Sequence, residues 1–114
     1  MKDNVISVLN TNVPSGLSNF QFRRLDQLYC LAVSRNVLSH RTVDCDFDAG
    51  MLRISLSKSA HHESYLEFIA EKVGPRTTMY ALYLNGKGLI ARSALFERVL
   101  ERMQEEVWDL IGPV

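Results

Sequence analysis

Ser59-Ala60-His61-His62-Glu63-Ser64-Tyr65-Leu66-Glu67-Phe68-Ile69-Ala70-Glu71-Lys72-Val73-Gly74-Pro75 is the stretch on which the fold turns. His62, Leu66, Ile69 and Val73 recur at spacings of four, three and four, the spacing of one helical face. Gly74 and Pro75 then supply a helix stop. The spacing predicts a helix from near Ser59, placed between two β-hairpins.

The hairpins are read from alternation. Val43, Cys45 and Phe47 alternate with Thr42, Asp44, Asp46 and Asp48, which predicts a strand with one buried face. Asp48-Ala49-Gly50 forms a turn, and Leu52, Ile54 and Leu56 alternate with Met51, Arg53 and Ser55 on the way back. Downstream, Thr77 to Leu84 is rich in β-branched and aromatic residues. Asn85-Gly86 carries the type I′ turn signal, and Leu89-Ile90-Ala91 returns.

Helices flank these hairpins. Ser18 and Gln21 stand three apart as a capping box, with Leu17 and Phe22 placed as a hydrophobic staple. Phe22, Leu25, Leu28, Tyr29, Ala32 and Val33 form the apolar face that follows, and Asn36 ends the helix. At the other end of the chain, Phe96, Leu100, Met103, Val107 and Leu110 make one stripe. Ser93 is placed to cap that last helix, and Gly112-Pro113 stops it. With Val5-Ile6-Ser7-Val8-Leu9 as a first strand, the order is β-α-β-β-α-β-β-α. The class is α+β: a mainly antiparallel sheet with helices packed on one face. Its first six elements follow the ferredoxin-like order, and a C-terminal hairpin strand and helix extend it. All of residues 1–114 fall in one domain.

Totals narrow the function. Thirteen lysines and arginines balance thirteen aspartates and glutamates, so no net positive charge exists to neutralise a phosphate backbone. Tyr80 and Tyr83 point to opposite faces of one strand, which leaves at most one for base stacking, and nucleic acid is not the expected partner. Cys30 and Cys45 lack a CxxC spacing and sit in apolar-patterned segments, so buried, reduced thiols are expected. The N-terminus lacks the apolar run of a signal peptide, and no window approaches a membrane span; a cytoplasmic location is expected.

Chemical motifs fall short one by one. Asp44, Asp46 and Asp48 form D-x-D-x-D, but Ala49 and Ser55 stand where a calcium loop needs glycine and glutamate. Period-two alternation alone puts the three aspartates on one wet face. His61-His62-Glu63 opens like a zinc-helix motif, yet Leu66 occupies the second histidine's place. His62 on an apolar stripe reads as a partly buried, hydrogen-bonded residue. Asn85-Gly86-Lys87-Gly88 lies between strands, whereas a phosphate loop leads into a helix. No cofactor or metal is expected. An enzyme is the minor alternative, and it requires His40, His61 or His62 to gather with an aspartate in a pocket.

Two resemblances add expectations. Leu28 to Val37, followed by the strand at Val43, resembles the helix-to-strand passage of ACT regulatory domains, and Pro14-Ser15-Gly16-Leu17 approximates their Pro-Gly turn. That resemblance implies a ferredoxin-like module that senses small molecules, often amino acids, at a dimer interface. The loop from Asn10 to Gly16 would then hold the ligand. From Leu17 onward the element order is similar to that of the small dimeric chaperones of type III secretion, which implies a dimer with a protein partner.

The remaining signal is Trp108, the only tryptophan, about 120° from the centre of the last helix's stripe at 100° per residue. Gln104, Glu101 and Glu97 surround it. A tryptophan on a polar flank is either the closing edge of the core or an interface anchor. Without a catalytic constellation, and with apolar helical surface to spare, the chain reads as a small non-catalytic binding or regulatory protein. It would work through protein–protein contacts, as a homodimer or on another protein. Trp108, Gln104, Glu101 and Glu97 form the expected partner-binding patch.

Overall fold

The computed structural model describes residues 17–113. Helix α1 (Asn19–Ser34) comes first, and strands β1 (His40–Asp46), β2 (Met51–Ser57), β3 (Ser64–Lys72), β4 (Thr78–Leu84) and β5 (Gly88–Ser93) follow. Helix α2 (Phe96–Ile111) closes the chain. The class is α+β, with a five-stranded antiparallel sheet in the sequential order β1-β2-β3-β4-β5. The first strand expected at Val5–Leu9, and the loop from Asn10 to Gly16, lie outside the described residues.

The order differs from expectation at the deciding stretch. Residues 64–72 are a strand, pairing with β2 on one side and β4 on the other. The described residues therefore form an open meander and not the ferredoxin-like order. The stretch holds two periods at once. Leu66, Phe68 and Ala70 alternate with Glu67, Ile69 and Glu71, and this period of two wins because two neighbours accept the strand's hydrogen bonds. Leu66, Phe68 and Ala70 are fully buried, whereas Ile69 is on the opposite face. Gly74-Pro75 serves the β3–β4 turn instead of a helix end, with Val73 N–H donating to the Thr77 carbonyl at 3.0 Å.

Local signals hold at α1. Ser18 Oγ accepts from the Gln21 N–H at 3.1 Å, and Gln21 Oε1 accepts from the Ser18 N–H at 2.9 Å, completing the capping box. Asn36 takes φ 60° just beyond the helix, a conformation asparagine tolerates better than most side chains. The β1–β2 turn closes with Gly50 at φ 64°. At the β4–β5 turn, Gly86 has φ 87° while Asn85 does not turn positive, so the turn is not type I′. The Lys87 N–H donates to the Leu84 carbonyl at 3.0 Å across it.

Both helices cover one face of the sheet. The core joins Leu25, Leu28 and Ala32 of α1 with Val99, Leu100, Met103 and Val107 of α2 over Leu52, Ile54, Leu56, Leu66, Phe68 and Leu82. At its centre Phe68, Tyr80 and Phe96 form a three-ring cluster, with Phe96 edge-on to both at 5.8 and 5.6 Å. The N-cap of α2, Leu95, makes no side-chain cap bond. The expected cap, Ser93, stays in β5 and accepts from the Leu95 N–H through its Oγ at 3.0 Å.

Strand β1 is where the cover stops. Arg41, Val43 and Cys45 share the helix-facing side through their pairing with Leu56, Ile54 and Leu52. Arg41 is held by α1, ion-paired to Asp26 and placed 4.7 Å over the Tyr29 ring. Beyond it Val43 and Cys45 are exposed, as is Phe47 in the turn. The buried face expected for this strand is thus open, because α1 does not reach that far along the edge. Both cysteines, expected to be buried, are exposed and unpaired with each other. Among the described residues β1 is an edge of the sheet, and the aspartates on its other side fit that place, where charge discourages pairing with a foreign strand.

Candidate functional site

The helices run parallel and in register. Arg24 Nη1 meets Glu97 Oε2 at 2.9 Å near the first turn of α2, and the Arg35 guanidinium lies 5.7 Å from the Trp108 ring near its last. The two contacts are eleven residues apart on each helix, or about 16 Å at 1.5 Å per residue. Parallel running follows from topology. Helix α1 precedes β1, α2 follows β5, and β1 and β5 point the same way in a five-stranded meander.

The four residues expected to bind a partner lie along this seam. Glu97 is engaged by Arg24, Gln104 is half-buried, Glu101 is exposed, and Trp108 is 46% exposed under Arg35. Trp108 lies outside the buried core cluster, and the cation over its ring comes from the C-cap of the other helix. Such a contact is worth about 0.5–1 kcal/mol at an exposed site. The partner Arg35 was not foreseeable from spacing, because it lies seventy-three positions upstream on another element.

At the N-terminal end of the seam the surface opens into a groove of about 830 Å³. Phe20 from α1 and Leu95 from the β5–α2 junction flank it, 62% and 59% exposed. Tyr80 and Phe96 reach it from the core, and Glu97, Arg98 and Glu101 supply charge. The groove and the seam form one continuous strip, since Glu97 and Glu101 belong to both. Phe20 and Leu95 lie off the helical stripes, where pattern reading has no partner to assign them.

Charge is divided across the strip. Helix α1 with its C-cap Arg35 carries Arg23, Arg24 and Arg35 against Asp26. Helix α2 carries Glu97, Glu101, Glu105, Glu106 and Asp109 against Arg98 and Arg102. Glu106 is buried and receives two hydrogen bonds from Arg102, at 3.1 and 2.8 Å, so that pair is used within its own helix.

Hydrogen bonds place several other candidates in turns. His62 is exposed in the β2–β3 loop and not on a buried stripe. Its Nδ1 lies 2.6 Å from Ser59 Oγ, and that oxygen also accepts from the His61 N–H, which makes the group a turn. Asp46 Oδ1 accepts from the Ala49 N–H within the β1–β2 turn. Among the described residues no group of three His, Cys, Asp or Glu side chains is placed to hold a metal ion. Partial desolvation of the sulfur first and then the neighbouring Asp44 carboxylate push the Cys45 thiol above its ordinary pKa, which disfavours the reactive thiolate.

The open face of the sheet mixes its charges. Asp44, Arg53, Ile69, Ala81 and Arg92 form one row across it, and Thr42, Ser55, Glu67 and Tyr83 the next. The Nε of Arg53 is buried and finds no hydrogen-bond partner among the described residues. Tyr83 is partly exposed there, while Tyr80 is buried on the helix side. In these rows Arg53 and Arg92 are separated by Ile69 and Ala81, with Asp44 beside Arg53 and Glu67 in the next row. No helix among the described residues is long and apolar enough to cross a membrane. Comparisons with protein-family models, with characterised proteins and with solved structures find no match to this chain.

Proposed function

We propose that this chain is a non-catalytic binding protein that acts through protein–protein contact on the outer surface of its two-helix layer. The observation that carries the reading is the exposure of three large apolar side chains along one strip: Phe20 and Leu95 at one end, Trp108 at the other. Large exposed apolar groups rimmed by charge are the usual composition of a contact surface. Trp108 is the anchor, with Gln104, Glu101 and Glu97 as its polar surround.

The test is site-specific photo-cross-linking in the native cell. A photoreactive phenylalanine at Gln104 faces the strip, and one at Thr42 on the open sheet face serves as control. The reading predicts a protein adduct at position 104 that Trp108→Ala weakens while circular dichroism shows the fold intact. No adduct at position 104, or unfolding by Trp108→Ala, would end it.

A further inference from the structure

We infer that the occupant of the helix layer is a second copy of this chain, related by a two-fold axis that runs along the seam between α1 and α2. The inference rests on the proposed contact surface and adds the identity of its partner.

A two-fold interface places the same patch on both partners, so the patch must carry its own complement. This strip does. Its two halves are parallel helices of opposite charge balance: outside the internal pairs Arg24–Glu97, Arg41–Asp26 and Arg102–Glu106, α1 with its C-cap keeps Arg23 and Arg35, and α2 keeps Glu101, Glu105 and Asp109 against Arg98. An axis lying in the interface plane along the helices sets α1 of one copy over α2 of the other. The two helices then run parallel, and each basic helix faces an acidic one. The other in-plane axis, across the helices, would set α1 on α1 and α2 on α2, like on like. Potentials across a surface decide register and partner in this way.

The register agrees with the apolar anchors. Arg24 is level with Glu97, so the outward Phe20 and Arg23 lie level with the start of α2. In the two-fold arrangement Phe20 of each copy falls on the groove beside Leu95 of the other, and Arg23, level with the first turn of the partner copy's α2, reaches along it toward Glu101, five residues or about 7 Å further on. At the far end Trp108 receives the C-terminal turn of the partner copy's α1. Each sixteen-residue helix is about 24 Å long, and two at about 10 Å spacing present a face of roughly 500 Å². Two such faces reach about 1,000 Å², the lower limit of a specific interface, which predicts a weak dimer that salt loosens.

The experiment is light scattering on the purified full chain from about 10 to 500 μM at low salt, with charge reversals at exposed positions. Expected is a rise from the 13.0 kDa chain mass toward twice that value, reduced at least tenfold in association constant by 0.5 M salt. Arg23→Glu alone and Glu101→Arg alone should each remain monomeric and folded, and an equimolar mixture of the two should recover the dimer. A wild-type chain that stays monomeric throughout overturns the inference. So does a dimer that ignores both reversals, or a mixture that fails to recover. The cross-link at position 104 separates the two levels. An adduct of twice the chain mass supports self-association, an adduct of any other mass refutes it while leaving a protein-binding strip, and no adduct refutes both.

Discussion

Phe68→Ala and Ile69→Ala, two neighbours on β3, should differ several-fold in their cost to stability. Phe68 is fully buried and touches Tyr80 and Phe96 with ring centroids 6.1 and 5.8 Å away. Removing such a ring leaves a cavity and costs about 3–5 kcal/mol. Ile69 points to the open face, half-buried beside Ala81 and Arg53. Its truncation loses part of one side chain's transfer energy, about 1 kcal/mol. In urea, with a slope near 2 kcal/mol per M for a chain of this size, the first change lowers the midpoint by about 2 M and the second by about 0.5 M. Equilibrium unfolding followed by circular dichroism and by Trp108 fluorescence reads both values. A helix over residues 59–73 would invert the order, since Ile69 lies on its stripe and Phe68 does not. Equal or inverted midpoints would refute the strand and the sheet face built on it.

Other expectations follow from particular contacts. Gly50→Ala should cost about 1–2 kcal/mol in the same urea assay: φ is 64°, and the new Cβ would come within 3.3 Å of the Lys72 Cβ. Ser18→Ala removes one arm of the capping box and should cost about 1 kcal/mol, with Ser18→Asp restoring most of it. Cys45 should alkylate slowly at neutral pH, its rate climbing with pH until the thiol titrates above its ordinary value. Asp44→Asn should shift that profile to lower pH, as mass spectrometry of iodoacetamide-treated protein would show. An unshifted profile would mean that the Asp44 charge does not reach the thiol.

Local chemistry was readable along the chain, and tertiary choice was not. The capping box at Ser18 and the stop at Asn36 bounded α1 because both act within a few residues of themselves. The stripe from Phe96 to Leu110 found α2, and the alternation around Gly50 found the first hairpin. Residues 64–72 were misassigned because Leu66 serves a period of two and a period near four alike, and only the neighbouring strands decide between them. The alternation at Val43 and Cys45 correctly indicated a strand, yet burial failed there because α1 covers Arg41 and stops. Trp108, Gln104, Glu101 and Glu97 were visible as a stripe of one helix. Their meaning as half of a two-signed surface needed the parallel partner α1, joined to them through Arg24 and Arg35.

The most direct test of the helix layer as a surface that meets another copy is a series of ¹H–¹⁵N correlation spectra of the chain from about 20 μM to 1 mM. The account predicts concentration-dependent shifts confined to Phe20, Arg23 and Gln27 on α1 and Leu95, Glu101, Glu105 and the Trp108 indole on α2, with Thr42, Arg53 and Ile69 on the open face unchanged. Shifts on the open face in place of the helices, or none across the range, would contradict it.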